Sequence, residues 1–471
     1  SSRRRRSMRS QARQLVLGLG ALRRGRGLST AAAAAKGAAP AKGAGVTDGR
    51  AFRALPFDDV PMLERLPNPS SWGSNLSAVF TGKAIGEHSA VDASRYYELP
   101  SAHIAQVFPE GFGQGVVREF TTTNLPALMV RQSGLEGREM LASLAKDPGA
   151  LGKTAALLVR GNRGVGKSTT LTYLVHAARS SGWLVLFLPS AHTYINTQKR
   201  FLPLSALRIE IGLAGDGLDE LFDVPLATHG LLIGFIQAHE EILATLPVKC
   251  AETGALTDAL QINVKTLLDL AQLGAVKTAS GEADPQLSAH ALVALLRELR
   301  HVTEVPVMLA IDDVNAFDRG TIFRDPKTAR PIHADQFLLP HLISSARKGG
   351  SALCNGIVLC AESTSLVYRP TETPGYRKKR IKRERLTKSW AHPGPVAEEG
   401  STDAIVRTLV VPHYSVPELN SALRLYAHSG AFRPADRALH RAASEGQAAG
   451  QVHMLTSSRG ELVRKLCSQL G

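Results

Sequence analysis

Residues 161–169 read Gly-Asn-Arg-Gly-Val-Gly-Lys-Ser-Thr, and the fold turns on this stretch. It fits G-x-x-x-x-G-K-[ST] through Gly161, Gly166, Lys167 and Ser168. Glycines at these places let backbone amides turn inward around phosphate oxygens. A helix starting at the lysine would aim its free N-terminal amides and positive dipole end at the same anion. Lys167 would reach the β- and γ-phosphates, and the Ser168 hydroxyl would ligate magnesium. Gly164 adds freedom to the turn, while Asn162 and Arg163 also read as plain spacers. The expected ligand-contacting set is Gly161, Asn162, Gly164, Val165, Gly166, Lys167, Ser168 and Thr169. Such a pattern predicts a purine nucleoside triphosphate or diphosphate bound with magnesium.

The flanks agree with this reading. Ala155–Arg160 is an apolar run of strand length, and Leu171, Leu174, Val175 and Ala178 then recur at helical spacing. Further runs at Leu184–Leu188, Val305–Ile311, Gly356–Ala361 and Thr408–Val411 read as strands, and Leu231–Leu246 and Ala289–Leu299 as helices. Strands separated by helices predict an α/β fold with a parallel sheet covered on both faces.

Val305–Asp313 ends in two acids, and an acid at such a strand end belongs beside the phosphate loop. Asp312 is therefore the expected magnesium partner, acting through water. Asp313 has two readings. It is either a short-armed base for an attacking water, which predicts slow hydrolysis at most, or a cap or hydrogen-bond acceptor in the loop Val314–Phe317. Ser363 and Thr364, after the fourth strand, are candidates for touching the γ-phosphate or the water, and equally suit a strand end or helix cap. Arg347 and Arg369 are the candidate arginine fingers, or solvated surface groups. No N-K-x-D motif is present, so the residues alone do not choose between GTP and ATP.

The last 60 or so residues read as a helical subdomain. Ser415 and Glu418 form a capping box with Pro417 in the first turn, and Leu419, Ala422, Leu423 and Tyr426 supply an apolar face that Gly430 can end. Ser458 and Glu461 repeat the capping pattern ahead of Leu462, Val463, Leu466 and Leu470. Residues 47–147 read as an extended N-terminal arm with a short helix near Leu135–Lys146. The expected division is thus 1–46, 47–147, 148–411 and 412–471.

Charge is localised. The net +15 comes mainly from residues 1–47, with nine Arg, two Lys and no acid, and from Arg377–Lys388, with eight basic residues around Glu384. The remaining chain is close to neutral, which argues against a wholly basic RNA-coating protein. Residues 1–46, rich in Arg, Ala, Gly and Leu, have the composition of a mitochondrial presequence. A secretory signal around Leu15–Leu22 is the rival reading, and Arg23, Arg24 and Arg26 directly after it argue against translocation. Within Arg377–Lys388, the residues Arg377, Lys378, Lys379, Arg380, Lys382 and Arg383 are candidates for sequence-indifferent RNA phosphate contact, against a solvated loop as the bland reading. The four cysteines, Cys250, Cys354, Cys360 and Cys467, lack metal spacing and read as small core residues in a reducing compartment. No apolar run approaches the ~20 residues of a membrane span.

Taken together, five segments resemble one family: GNRGVGKST, WLVLFLPSAHTYIN (183–196), IDDVNAF (311–317), VVPHYSVPELNSALRLYAHSGAF (410–432) and HMLTSSRGELVRKLCSQL (453–470). Their order and spacing are similar to those of the death-associated protein three family, GTP-binding proteins of the mitochondrial small ribosomal subunit, from about Tyr96 onward. The resemblance implies a P-loop NTPase domain of the AAA+/STAND kind, bound GTP or GDP with magnesium, and the mitochondrial matrix as location. It implies ribosomal proteins, small-subunit rRNA and, across an intersubunit bridge, the large subunit as partners. Carried onto this chain, phosphate contacts fall on Gly161, Gly164, Gly166, Lys167, Ser168 and Thr169, and the acid on Asp312. The basic run has no counterpart in the resemblance. A mitochondrial AAA+ or STAND-type ATPase or GTPase switch is the alternative.

Overall fold

Apolar runs too continuous to leave one face in water must be covered on both sides, and in the computed structural model they lie side by side in one parallel sheet. The structure describes residues 78–99, 101–147, 151, 154–196, 201–204, 221–250, 253, 264–277, 284–325, 329–347, 353–363, 405–431 and 448–470, all within one unit, Asp48–Gly471. The presequence reading of 1–46, Thr364, Arg369 and the basic run 377–388 lie outside them.

The chain runs through β1 (Tyr96–Glu98), α1 (Ser101–Val107), α2 (Gln114–Thr123), β2 (Ala127–Met129) and α3 (Gln132–Ala145) before β3 (Thr154–Arg160) and α4 (Lys167–Ser180). Next come β4 (Leu184–Leu188), α5 (Ala191–Asn196), the short pair β5 (Leu202–Pro203) and β6 (Phe222–Asp223), then α6 (Pro225–Thr245), α7 (Leu267–Gly274) and α8 (Pro285–His301). β7 (Val307–Ile311), the hairpin β8 (Gly320–Arg324) and β9 (Pro331–His333), α9 (Leu338–Arg347), β10 (Gly356–Ala361) and β11 (Ile405–Val410) follow. The chain closes with α10 (Val416–His428), α11 (Ala449–Thr456) and α12 (Gly460–Leu470).

The central sheet has the order β11-β3-β10-β7-β4, with every pair parallel. Period-two alternation sends its side chains to two cores. Leu184, Leu186 and Leu188 of β4, with Val307, Leu309 and Ile311 of β7, pack against α6, α7 and α8. Val185 and Phe187, with Met308, Ala310, Ile357 and Leu359, face α4 and the segment before it. The predicted stripe of α4, Leu171, Leu174, Val175 and Ala178, is buried in that second core.

Residues 78–147 are not an extended arm. Tyr97, Phe108, Phe112 and Phe120 sit in the second core, where Phe108 meets Phe187 of β4 at 6.2 Å between ring centroids. The predicted helix near Leu135–Lys146 is α3, Gln132–Ala145. The C-terminal helices pack onto this same segment. Leu419, Ala422, Leu423 and Tyr426 of α10 share a third core with Tyr96, Ala127 and Met129 of the β1–β2 ribbon. The C-terminal helices thereby hold the β1–β2 ribbon.

The capping box of α10 forms as its spacing predicts, Ser415 accepting from the Glu418 N–H and Glu418 from the Ser415 N–H. The second predicted box does not form. Ser458 is left-handed (φ 52°) and its hydroxyl pairs with the His453 ring, so it lacks the extended backbone an N-cap needs. Of the cysteines, Cys360 and Cys467 are buried, but Cys250 is only partly so and Cys354 is exposed, in the turn before β10. Among the described residues no helix is long and apolar enough to cross a membrane, and no cluster of His, Cys, Asp and Glu suits a metal ion on its own.

Candidate functional site

Parallel strands place the loops after their C-terminal ends along one edge. β10 lies between β3 and β7, with Ala361 opposite Val159 and Cys360 opposite Ile311. The loop after β3, the acids after β7 and Glu362–Ser363 after β10 therefore share one rim of the sheet.

The loop 161–166 wraps the start of α4, whose N-cap is Gly166 at φ 98°, a backbone that residues with a Cβ rarely adopt. Gly161 is required for a different reason: an added Cβ would lie 2.5 Å from the Val411 carbonyl oxygen. Lys167, 8% exposed, folds back so that Nζ donates to the carbonyls of Gly161 (2.9 Å) and Asn162 (2.8 Å). Burial lowers its pKa, while the charges of Asp312, Asp313 and Glu362 act in the opposite direction. Ser168 stands at the first turn of α4, and its hydroxyl hydrogen-bonds to the Asp312 carboxylate.

Asp312 is buried, with Oδ1 accepting the Asp313 N–H at 2.9 Å. Gly113, the N-cap of α2, passes so close that a Cβ there would meet Asp312 Oδ2 at 3.1 Å. Burial first, and the neighbouring Asp313 second, push the Asp312 carboxyl well above the ordinary carboxylate range. Asp313 is also raised by burial. Its backbone is left-handed (φ 57°), and its carboxylate makes no capping bond to the short helix after it. Instead Oδ2 accepts from Ser190 Oγ at 3.4 Å, and Ser363 hydrogen-bonds to the same carboxylate. Ser363 is further fixed by reciprocal bonds with the Asn315 amide, 2.8 and 2.7 Å. The site thus gathers two adjacent carboxylates, one ammonium and three hydroxyls.

The sequence-predicted residues divide cleanly. Gly161, Gly164, Val165, Gly166, Lys167, Ser168, Thr169 and Asp312 come together. Asn162 is exposed, and its amide nitrogen lies 2.9 Å from His413 Nε2; since His413 Nδ1 donates to the Ser457 carbonyl at 2.7 Å, Nε2 is the acceptor. Arg163, half-exposed, pairs with Glu461 at 3.5 Å. Arg347 belongs to α9.

Arg131, between β2 and α3, carries no motif and was not legible in sequence. It is 3% exposed and binds Glu418 of α10 through Nε (2.8 Å) and Nη2 (3.2 Å). Nη2 also donates to the Pro412 carbonyl at 3.0 Å, and Nη1 donates to the carbonyl of Val165 in the loop. Only the tertiary fold brings these four segments together.

Comparison with known proteins finds relatives over most of the chain. The small ribosomal subunit protein mS29 of Bos taurus is 22% identical over 394 residues, covering 82% of this chain and 86% of the relative. The protein of the same description from Mus musculus is 21% identical over 392 residues, 82% and 87% of the two chains. That from Neurospora crassa is 26% identical over 309 residues, 65% of this chain and 56% of the relative. Residues 128–461, from β2 through the first turn of α12, match the family described as mitochondrial ribosomal death-associated protein 3. That span includes the loop 161–169, Asp312, Arg131 and Glu418, and the chain belongs to the mitochondrial ribosomal death-associated protein 3 family.

Proposed function

We propose that this chain is a structural protein of the small ribosomal subunit in the mitochondrial matrix, and that it holds a guanine nucleotide, GTP or GDP, with magnesium in the loop 161–169. Family membership and the names of the relatives support the ribosomal half. One observation carries the nucleotide half: Lys167, Ser168 and Asp312 meet at the C-terminal rim of the sheet, beside a loop whose glycines Gly161, Gly164 and Gly166 all have positive φ.

The donor set fits such a ligand. Burying two adjacent carboxylates is costly unless a cation offsets them. Their raised pKa values record that cost, and Lys167 is the cation beside them. Magnesium next to Ser168 and Asp312 would offset it further and would neutralise charge on the β- and γ-phosphates. Lys167 would then move from the loop carbonyls to the phosphates, and α4 would supply its N-terminal amides. ATP fits the same groups, and guanine is preferred on family grounds.

Turnover is slow in this reading. The Asp313 carboxylate is tied to Ser190 and Ser363 rather than free to approach a water. A nucleotide that binds only the folded state stabilises it as RT ln(1 + [L]/Kd), so it can serve as a structural cofactor without hydrolysis. The partners are ribosomal proteins, small-subunit rRNA along Arg377–Arg383, and the large subunit across a bridge.

The test is to release small molecules from native protein by denaturation, identify them by chromatography, and sediment the native protein with mitochondrial small subunits. Stoichiometric guanine nucleotide and cosedimentation are expected. Persistent absence from the subunit fraction would remove the ribosomal reading, and absence of any purine nucleotide would remove the other.

A further inference from the structure

We infer that Arg131 is a positioning residue for the anion-facing amides of the phosphate loop, and that Glu418 at the start of α10 holds it in that role. The inference rests on the proposed nucleotide reading and adds the device that shapes the loop.

A trans peptide is rigid and planar, so the C=O of one residue and the N–H of the next point in opposite directions. Holding a carbonyl on one side of the loop therefore sends the following amide to the other. Arg131 Nη1 holds the Val165 carbonyl, which turns the Gly166 N–H away from the guanidinium. The Glu461 N–H donates to the Gly164 carbonyl at 2.9 Å, which does the same for the Val165 N–H. Two consecutive peptide planes are thus pinned from outside, and both amides are left for an anion inside the loop. Gly164 (φ 75°) and Gly166 (φ 98°) flank this pair, and glycine-flanked planes turn over at low cost unless something holds them.

The guanidinium is itself immobilised. Glu418 grips it bidentately, the Pro412 and His413 carbonyls accept from Nη2, and the group lies 4.9 Å from the centre of the Tyr414 ring. Glu418 is in turn fixed by the Ser415 N–H at 2.7 Å. A purely structural ion pair would end at Glu418. The additional bond into the loop connects the cap of α10 to the Gly166 amide, so that docking of α10 and affinity for a polyphosphate become linked quantities.

The experiment titrates Mg·GTP and Mg·ATP into the full chain and into Arg131→Met, Arg131→Lys and Glu418→Gln, each below its own melting midpoint, which is recorded alongside. Glu110→Gln, which breaks a buried pair with Arg179 away from the loop, is the control for lost stability. Arg131→Met is expected to weaken nucleotide binding by about tenfold or more, which is ~1.4 kcal/mol. Arg131→Lys keeps the charge but not the fork, and Glu418→Gln keeps the fork but loosens its grip, so both should fall between. Glu110→Gln should melt earlier and bind normally. The inference is overturned if Arg131→Met binds within about twofold of wild type, or if Glu110→Gln loses as much affinity. Should Arg131→Met not fold, the Lys and Gln variants carry the test, and binding equal to wild type in both overturns it. Failure of the wild type to bind either nucleotide would instead remove the nucleotide reading itself.

Discussion

Acid should unfold this protein through two buried histidines, and the size of the effect follows from where they sit. His239, at the kink in α6, accepts the Val185 N–H at 3.0 Å through Nε2, and His176 on α4 lies 3.2 Å from the Tyr97 hydroxyl through Nδ1. Burial is the first cause in each case, and it lowers both from 6.5 to about 3. A base with a depressed folded pKa stabilises the fold fully above its unfolded pKa, and that contribution is lost as pH falls toward the folded value. Each histidine should therefore cost ~1.4 kcal/mol per pH unit below 6.5. At pH 5 that is about 2 kcal/mol each and about 4 together, a large part of an ordinary domain's stability. Asp312 and Asp313, whose folded pKa values are raised, act with the opposite sign, so the clean quantity is a difference between variants. Urea unfolding at pH 7.5, 6 and 5 should show His239→Gln, which still offers an acceptor to Val185, losing about 1.4 kcal/mol per pH unit less than wild type. Equal slopes in the two proteins would refute the reasoning.

Other expectations rest on single contacts. Glu110→Gln leaves the Arg179 guanidinium buried without its carboxylate, and should cost about 3 kcal/mol in urea unfolding. Gly161→Ala pushes a methyl against the Val411 backbone and should cost about 2 kcal/mol, read as a lower melting midpoint; Gly182→Ala, left-handed but in open space, should cost only about 1. Asp313→Glu brings a longer carboxylate to the same rim, and steady-state GTP hydrolysis should exceed that of wild type; an equal rate in the two proteins would mean that arm length is not what limits it.

What the sequence discloses and what it hides differ in physical kind. β4 and β10 were legible to their end residues because both are buried on both faces and read as unbroken apolar runs. β11 was read only from Thr408, because one of its faces is exposed, unlike those of β4 at the opposite edge of the sheet. Val406, Thr408 and Val410 face outward, and Arg407 interrupts the run. The loop 161–169 stands out in the sequence because its pattern is local: nine consecutive residues carry the glycines, the lysine and the hydroxyls. The packing of residues 78–147 was not, since the burial of Tyr97, Phe108 and Phe112 depends on α4 and β4, far along the chain. Asp313 was read as a base or a local cap; its bonds run to Ser190 and Ser363, on the strand ends either side, which no local pattern encodes. Arg131 marks the limit most sharply, because a lone arginine after an apolar run signals nothing until Glu418, 287 residues away, is placed beside it.

The proposed role of this protein depends on the loop 161–169 taking up a nucleoside polyphosphate. Calorimetric titration of the purified full chain with Mg·GTP and Mg·ATP, wild type beside Lys167→Ala, tests this directly. Saturable one-to-one binding by wild type, weakened at least about tenfold by the substitution, is the predicted result. Equally feeble uptake by both proteins, with magnesium in excess, would contradict it.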